Sequence, residues 1–145
     1  MPAYNTIEYV TISSAGNATD FGDLTGATKA PMTGGSSTRA LAGQLSTSYS
    51  NAVDYITIAT TGNATDFGDL SQSVNDGGLA ASNSIICLMF GGNRSDFQPR
   101  SQIDEFTIAT TGNATDFGDL RLVPTDEFLN GGGGSAASNC HGGLS

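Results

Sequence analysis

Basic side chains are scarce in this chain: five Lys and Arg stand against fourteen Asp and Glu in 145 residues, a formal net charge of −9. Such a surface repels phosphate backbones, which argues against nucleic acid as a partner. Long apolar runs are missing too, none approaching the roughly 18 to 20 residues that cross a bilayer as a helix, so no membrane partner is expected. The opening residues, Met1-Pro2-Ala3-Tyr4-Asn5, lack the basic and apolar regions of a secretory leader, and a host secretion route is not expected. Cysteine is limited to Cys87 and Cys140, at non-equivalent places in the pattern described below. They read as one buried thiol and one incidental thiol rather than a disulfide or half of a metal site. Charged residues make up only 13%, against 37% hydrophobic and 20 glycines. That is the composition of a turn-rich folded domain and not the highly charged composition of intrinsic disorder.

Against these absences stands a repeat. The nonapeptide Gly-Asn-Ala-Thr-Asp-Phe-Gly-Asp-Leu occurs three times unchanged, at 16–24, 62–70 and 112–120. Each copy follows a strand-like hexapeptide: Ile7-Glu8-Tyr9-Val10-Thr11-Ile12, Val53-Asp54-Tyr55-Ile56-Thr57-Ile58 and Ile103-Asp104-Glu105-Phe106-Thr107-Ile108. Asn17, Asn63 and Asn113 are separated by 46 and then 50 positions, a spacing that suits one supersecondary unit per repeat, such as a propeller blade. Units of this kind cannot bury their own apolar faces and must stack on one another.

The hexapeptides are rich in β-branched and aromatic residues and predict strands. Both of their faces carry apolar groups, which suits strands covered by a sheet on each side. The Gly-Asn pair predicts a tight hairpin turn with positive φ and the Asn side chain bonded to its own backbone. The returning segment places Phe21, Leu24, Phe67, Leu70, Phe117 and Leu120 as core candidates. Beyond it, Arg39 to Gly43 predicts a further strand, and Ile85 to Phe90 a fully buried one closed by Gly91-Gly92. The third unit carries the Gly131 to Asn139 stretch and then stops short of that buried strand. With no helical periodicity, the expected fold is all-β: a single domain over 1–145, with units at about 5–50, 51–102 and 103–145.

Apolar strand, Gly91-Gly92, variable loop, the Asp-Tyr-x-Thr-Ile type strand, the nonapeptide and an Ala-Ala-Ser-Asn stretch together resemble the kelch-like repeats of tailed-bacteriophage virion proteins. The likeness spans nearly the whole chain, while the absence of tryptophan departs from cellular kelch repeats. It implies three kelch-like β-propeller-type repeat units of antiparallel strands. Closed propellers take about four to eight blades, so completion by oligomerisation is expected: a six-bladed dimer, a strand lent by a neighbour, or a short β-stack capping a trimeric site.

Other motifs have plainer readings. Asp-Phe-Gly lacks every companion of the kinase metal triplet, and its Asp-x-Gly lacks the flanking residues of the sialidase Asp-box turn. The pairs Asp20/Asp23, Asp66/Asp69 and Asp116/Asp119 offer two oxygens where calcium wants six to eight, so turn chemistry is the expected role and no metal or other cofactor is assigned. His141 beside Cys140 falls short of a zinc site or a nucleophile pair. Arg39, Arg94, Arg100 and Arg121 are scattered, and suit pairing with surface acids as well as they suit binding a partner.

No catalytic constellation assembles, and an enzyme is not expected. The expected role is a surface-exposed virion protein, a capsid decoration or a tail or fibre component, bound to other copies of itself and to virion proteins. Its variable loops, Thr25 to Ser37, Asn93 to Gln102 and Arg121 to Gly134, would make those contacts. The alternative is a lectin-like receptor-binding module that recognises a host surface glycan through the loop aromatics Tyr49, Phe97 and Phe128.

Overall fold

A computed structural model describes residues 2–45, 49–75, 77–94 and 100–121. Among these the chain is all-β: β1 (Tyr4–Tyr9), β2 (Thr19–Thr28), β3 (Met32–Gly35), β4 (Arg39–Gly43), β5 (Ser50–Thr57), β6 (Thr65–Val74), β7 (Gly78–Ser82), β8 (Ile86–Gly91), β9 (Gln102–Thr107) and β10 (Thr115–Asp119). All pairings are antiparallel. They form a two-stranded sheet β1-β2, a four-stranded sheet β3-β4-β5-β6 and a four-stranded sheet β7-β8-β9-β10. Each four-stranded sheet is a meander, so neighbours in sequence are neighbours in space. Its hairpins close on short polar side chains. Ser36 Oγ accepts from the Thr38 and Arg39 N–H groups at 3.2 and 3.3 Å between β3 and β4. Asn83 Oδ1 accepts from those of Ile85 and Ile86 at 2.8 and 2.7 Å between β7 and β8.

The three hexapeptides open the hairpins β1–β2, β5–β6 and β9–β10, and in each the ladder slips at the same place. Ile7 pairs with Gly22 and Glu8 with Asp20, leaving Phe21 as an extra residue. Val53 with Gly68 and Asp54 with Asp66 do the same around Phe67, and Ile103 with Gly118 and Asp104 with Asp116 around Phe117. Asp-Phe-Gly is thus a β-bulge, which bends its strand and sharpens its twist. The residue after Phe needs positive φ, +148° at Gly22, +149° at Gly68 and +143° at Gly118, a conformation side chains rarely tolerate.

The core lies between the two four-stranded sheets. Met32, Leu41, Leu45, Val53, Phe67, Leu70 and Val74 from one meet Cys87, Met89, Phe106 and Ile108 from the other. The rings of Tyr55, Phe67 and Phe106 form an edge-to-face chain with 5.8 Å between successive centroids. Residues opposite one another in a ladder share a face, so Leu41 and Tyr55 point toward the β7–β10 sheet, and Cys87 and Phe106 point back. The other face of the β3–β6 sheet, with Ala40, Asp54 and Ile56, looks toward β1–β2.

Several expectations from the sequence are corrected. Phe117 is 56% exposed, and Phe21 and Leu120 are half-buried, whereas Leu24, Phe67 and Leu70 are buried. The difference is position in the stack, because only the Phe67 bulge lies between two four-stranded sheets. Thr25 to Ser37 is not a loop: β2 runs to Thr28 and β3 occupies Met32–Gly35. Strand β8 alternates buried Cys87 and Met89 with half-buried Leu88 and Phe90, and Ile85 is exposed, so it is not buried throughout. The Gly-Asn pair does not make the hairpin reversal. The chain turns earlier, with Ser14, Thr60 and Thr110 N–H groups donating to Thr11, Thr57 and Thr107 carbonyls, which frees Gly-Asn for contact with the neighbouring sheet.

Candidate functional site

The strongest constellation is the one that joins successive hairpins. Gly62 N–H donates to the Phe21 carbonyl and Ala64 N–H to the Asp23 carbonyl, both at 2.8 Å, while Asp23 N–H donates to Asn63 Oδ1 at 3.1 Å. One hairpin further on, Gly112 N–H donates to the Phe67 carbonyl and Ala114 N–H to the Asp69 carbonyl, again at 2.8 Å, and Asp69 N–H donates to Asn113 Oδ1 at 3.1 Å. The Gly-Asn-Ala of one nonapeptide thus seats on the Phe-Gly-Asp of the preceding one. It occupies the outer edge of a bulged strand that otherwise would present unpaired backbone groups. The fit is close. A Cβ on Gly22 would stand 2.3 Å from the Gly62 carbonyl oxygen, and one on Gly68 2.3 Å from that of Gly112. Each seat contributes three hydrogen bonds, about 1 kcal/mol apiece.

Two buried carboxylates reinforce it. Asp54 accepts from Thr25 N–H at 2.8 Å, from Thr25 Oγ1 at 2.8 Å and from Gln44 Nε2 at 2.6 Å. Asp104 accepts from Ser71 N–H at 2.9 Å and from Arg100 Nη2 in a fully buried ion pair. In each case an acid from one sheet caps the backbone of the preceding sheet's last strand, immediately after Leu24 or Leu70. Gln44 and Arg100 are two chemical solutions to the same requirement, a donor to the buried acid, although among the described residues Asp104 Oδ1 and Arg100 Nε and Nη1 find no partner. Burial pulls the Arg100 guanidinium below its ordinary value, and the Asp104 carboxylate beside it pulls the other way. Arg100 is therefore no surface residue, contrary to the sequence expectation. Arg39 also has a fixed role: its guanidinium lies 4.6 Å from the Tyr55 ring centre and donates to the Ile108 and Ala109 carbonyls.

Between β1–β2 and the β3–β6 sheet lies an open cleft of about 370 Å³, bounded by Tyr4, Ile7, Leu24, Ala40, Ala42 and Ile56. Its floor is apolar, and Lys29 and Thr33 supply polar groups. It opens because β1–β2 has two strands facing four. Of the loop aromatics, Tyr49 is half-buried and held at φ +56°, away from the cleft. Phe97 and Phe128 fall outside the described residues, as do Cys140, His141 and most of the Arg121 to Gly134 segment. Cys87 is a buried free thiol, pushed up to about 12 by burial. Among the described residues no three of His, Cys, Asp and Glu converge on a metal-sized site, and no helix is long and apolar enough to cross a membrane.

Asn17, Asn63 and Asn113 were singled out by repetition, and Asn63 and Asn113 join neighbouring sheets rather than their own turns. Sequence reading missed Asp54, Asp104, Gln44 and Arg100. A signal was available in the acid that follows Val53 and Ile103, at the second position of each hexapeptide. A scan against protein-family models and a search of curated proteins each found no match to this chain.

Proposed function

We propose that the chain is a non-enzymatic structural protein of a tailed-phage virion, exposed on the particle as a capsid decoration or a tail or fibre component. In this reading it comprises three propeller-type repeat units completed by further copies. The observation that carries it is the use to which the chemistry-bearing residues are put. The Asn63 and Asn113 side chains, the carbonyls of the first two bulges and the buried Asp54 and Asp104 are all spent on fastening one sheet to the next. A stack fastened in this way suits a rigid body that carries variable loops, and the verbatim nonapeptide supplies the likeness to phage kelch-like repeats. Mass spectrometry of density-banded particles from the lysate whose genome encodes the sequence tests it. Peptides of this chain are expected at a fixed stoichiometry to the capsid or tail proteins, and their absence from intact particles would overturn the reading.

The cleft favours a second reading, a module that binds host glycans. Tyr4 is exposed at its mouth and the floor is apolar, a combination suited to stacking a sugar ring while polar groups bond its hydroxyls. Binding on a glycan panel that is lost in Tyr4→Ala would support this reading. No binding by the wild-type chain would remove it.

A further inference from the structure

We infer that copies of this chain join head to tail, the first hairpin of one molecule seating on the third hairpin of another in the contact already made twice within each chain. The inference deepens the assembly part of the reading above and is independent of any place on a particle.

The internal contact has a donor side and a receptor side. On the donor side are the Gly-Asn-Ala turn and the hexapeptide face carrying Asp104, Phe106 and Ile108. On the receptor side are the bulge carbonyls, the positive-φ glycine and the bulge Phe. Among the described residues the second hairpin uses both sides, while the first uses only its receptor side and the third only its donor side. The two unused sides are the ends of the stack.

Those ends are unfinished in the way the internal contact predicts. Phe67 is 2% exposed beneath Phe106, but its counterpart Phe117 is 56% exposed. Phe106 and Ile108 are 1% and 2% exposed, and in the second hairpin, seated on the smaller two-stranded one, Ile56 is half-buried and Ile58 45% exposed, but their counterparts Val10 and Ile12 are 58% and 98% exposed. Ala64 is buried by its seat, and its counterpart Ala18 is exposed. A Cβ at Gly22 or Gly68 meets the next turn, while one at Gly118 meets nothing within 4 Å among the described residues. Because the nonapeptides are identical, the receptor at Phe117-Gly118-Asp119 has the same residues that hold Gly62-Asn63-Ala64 and Gly112-Asn113-Ala114. Gly16-Asn17-Ala18 has the residues they hold. The occupant is therefore a second copy of this chain. Gly16 and Ala18 N–H groups would donate to the Phe117 and Asp119 carbonyls, Asn17 Oδ1 would accept from Asp119 N–H, and Val10 would cover Phe117.

The two surfaces differ, so the contact is heterologous. It makes a ring where the rotation closes and a filament where it does not. Light scattering over a dilution series tests it with three proteins: the wild-type chain, Ile12→Asp and Phe117→Asp. Both substitutions fall on exposed side chains, and far-UV circular dichroism of the separated chains checks that the fold is kept. The wild type is expected at two or more times the single-chain mass, and each variant alone at the single-chain mass. The equimolar mixture is expected at twice that mass and no higher, because it retains one intact donor and one intact receptor. Asn17→Ala is expected to weaken the wild-type association several-fold. A wild type that stays single at sub-millimolar concentration overturns the inference. So does a folded variant that keeps the wild-type mass, or a mixture that fails to pair. Particle proteomics and this mixing experiment can fail separately, which keeps the two readings distinguishable.

Discussion

At the scale of single residues, the buried acids set the terms. Asp54 takes three donors, and an amide offers only one acceptor oxygen and turns an N–H group toward Thr25 and Gln44. Asp54→Asn is therefore expected to lose about 2 to 3 kcal/mol, nearly as much as Asp54→Ala, read from urea unfolding midpoints. Arg100→Met strands the Asp104 charge in the core, a loss of about 3 to 5 kcal/mol, part of which the double variant Arg100→Met with Asp104→Leu should recover. Cys87 supplies a pH dependence. Its folded-state pKa is raised from 9.0 to about 12 by burial, so the thiol stays protonated in the fold while the unfolded thiol ionises at a pH near its ordinary value. Below that pH both states hold the proton and the group adds no slope. As pH climbs toward 12 the unfolded state sheds the proton first and stability falls. Thermal melts between about pH 8 and pH 11 should show a shallower alkaline decline in Cys87→Ala than in the parent, with Cys140→Ser in both to isolate the effect.

At the scale of elements, the bulge separates backbone strain from docking. Gly22, Gly68 and Gly118 share nearly the same positive φ, but only the first two face an occupied seat. Alanine pays the conformational cost at all three and the steric cost at two. Gly68→Ala is expected to lose about 1 to 3 kcal/mol more than Gly118→Ala, measured at a dilution where the chains are separate. Much of the secondary structure was legible in advance. The β-branched hexapeptides foretold β5 and β9 but only the end of β1, which stops at Tyr9 before Val10 to Ile12, and Arg39 to Gly43 coincides with β4. Two features were not legible for physical reasons. Gly-Asn has the residues of a tight turn, but a turn signal is local and cannot reveal that a Thr-based reversal a few residues earlier has already done that work. Asp54 and Asp104 drew no reading of their own, since strand patterning does not say what a polar side chain on a covered face will meet. The donors that satisfy them, Gln44 and Thr25 or Arg100 and Ser71, come from distant parts of the chain.

At the scale of the whole molecule, charge and apolar contact oppose each other. The chain carries a net charge of −9, so copies repel at low ionic strength, while the surfaces that would meet are built around Val10, Ile12 and Phe117. Raising salt from about 20 mM to about 500 mM shrinks the Debye length from about 20 Å to under 5 Å, so the apparent association constant from scattering should rise with salt rather than fall. The repeat made stacking legible, but identical nonapeptides could not say which copies lie inside the stack and which at its ends. That is why Phe117 matched Phe67 in sequence and differed from it in burial. The seat of Gly-Asn-Ala on Phe-Gly-Asp also constrains how this sequence can change. The first nonapeptide is a socket, the third a plug and the second both, so a substitution that reshapes one copy spoils its grip on the copy before it, the copy after it, or both. Single copies are thereby held to the common text, and drift is tolerated only where all three move together. The segments between them carry no copy of that seat and differ in length, as the unequal spacings of 46 and 50 residues show.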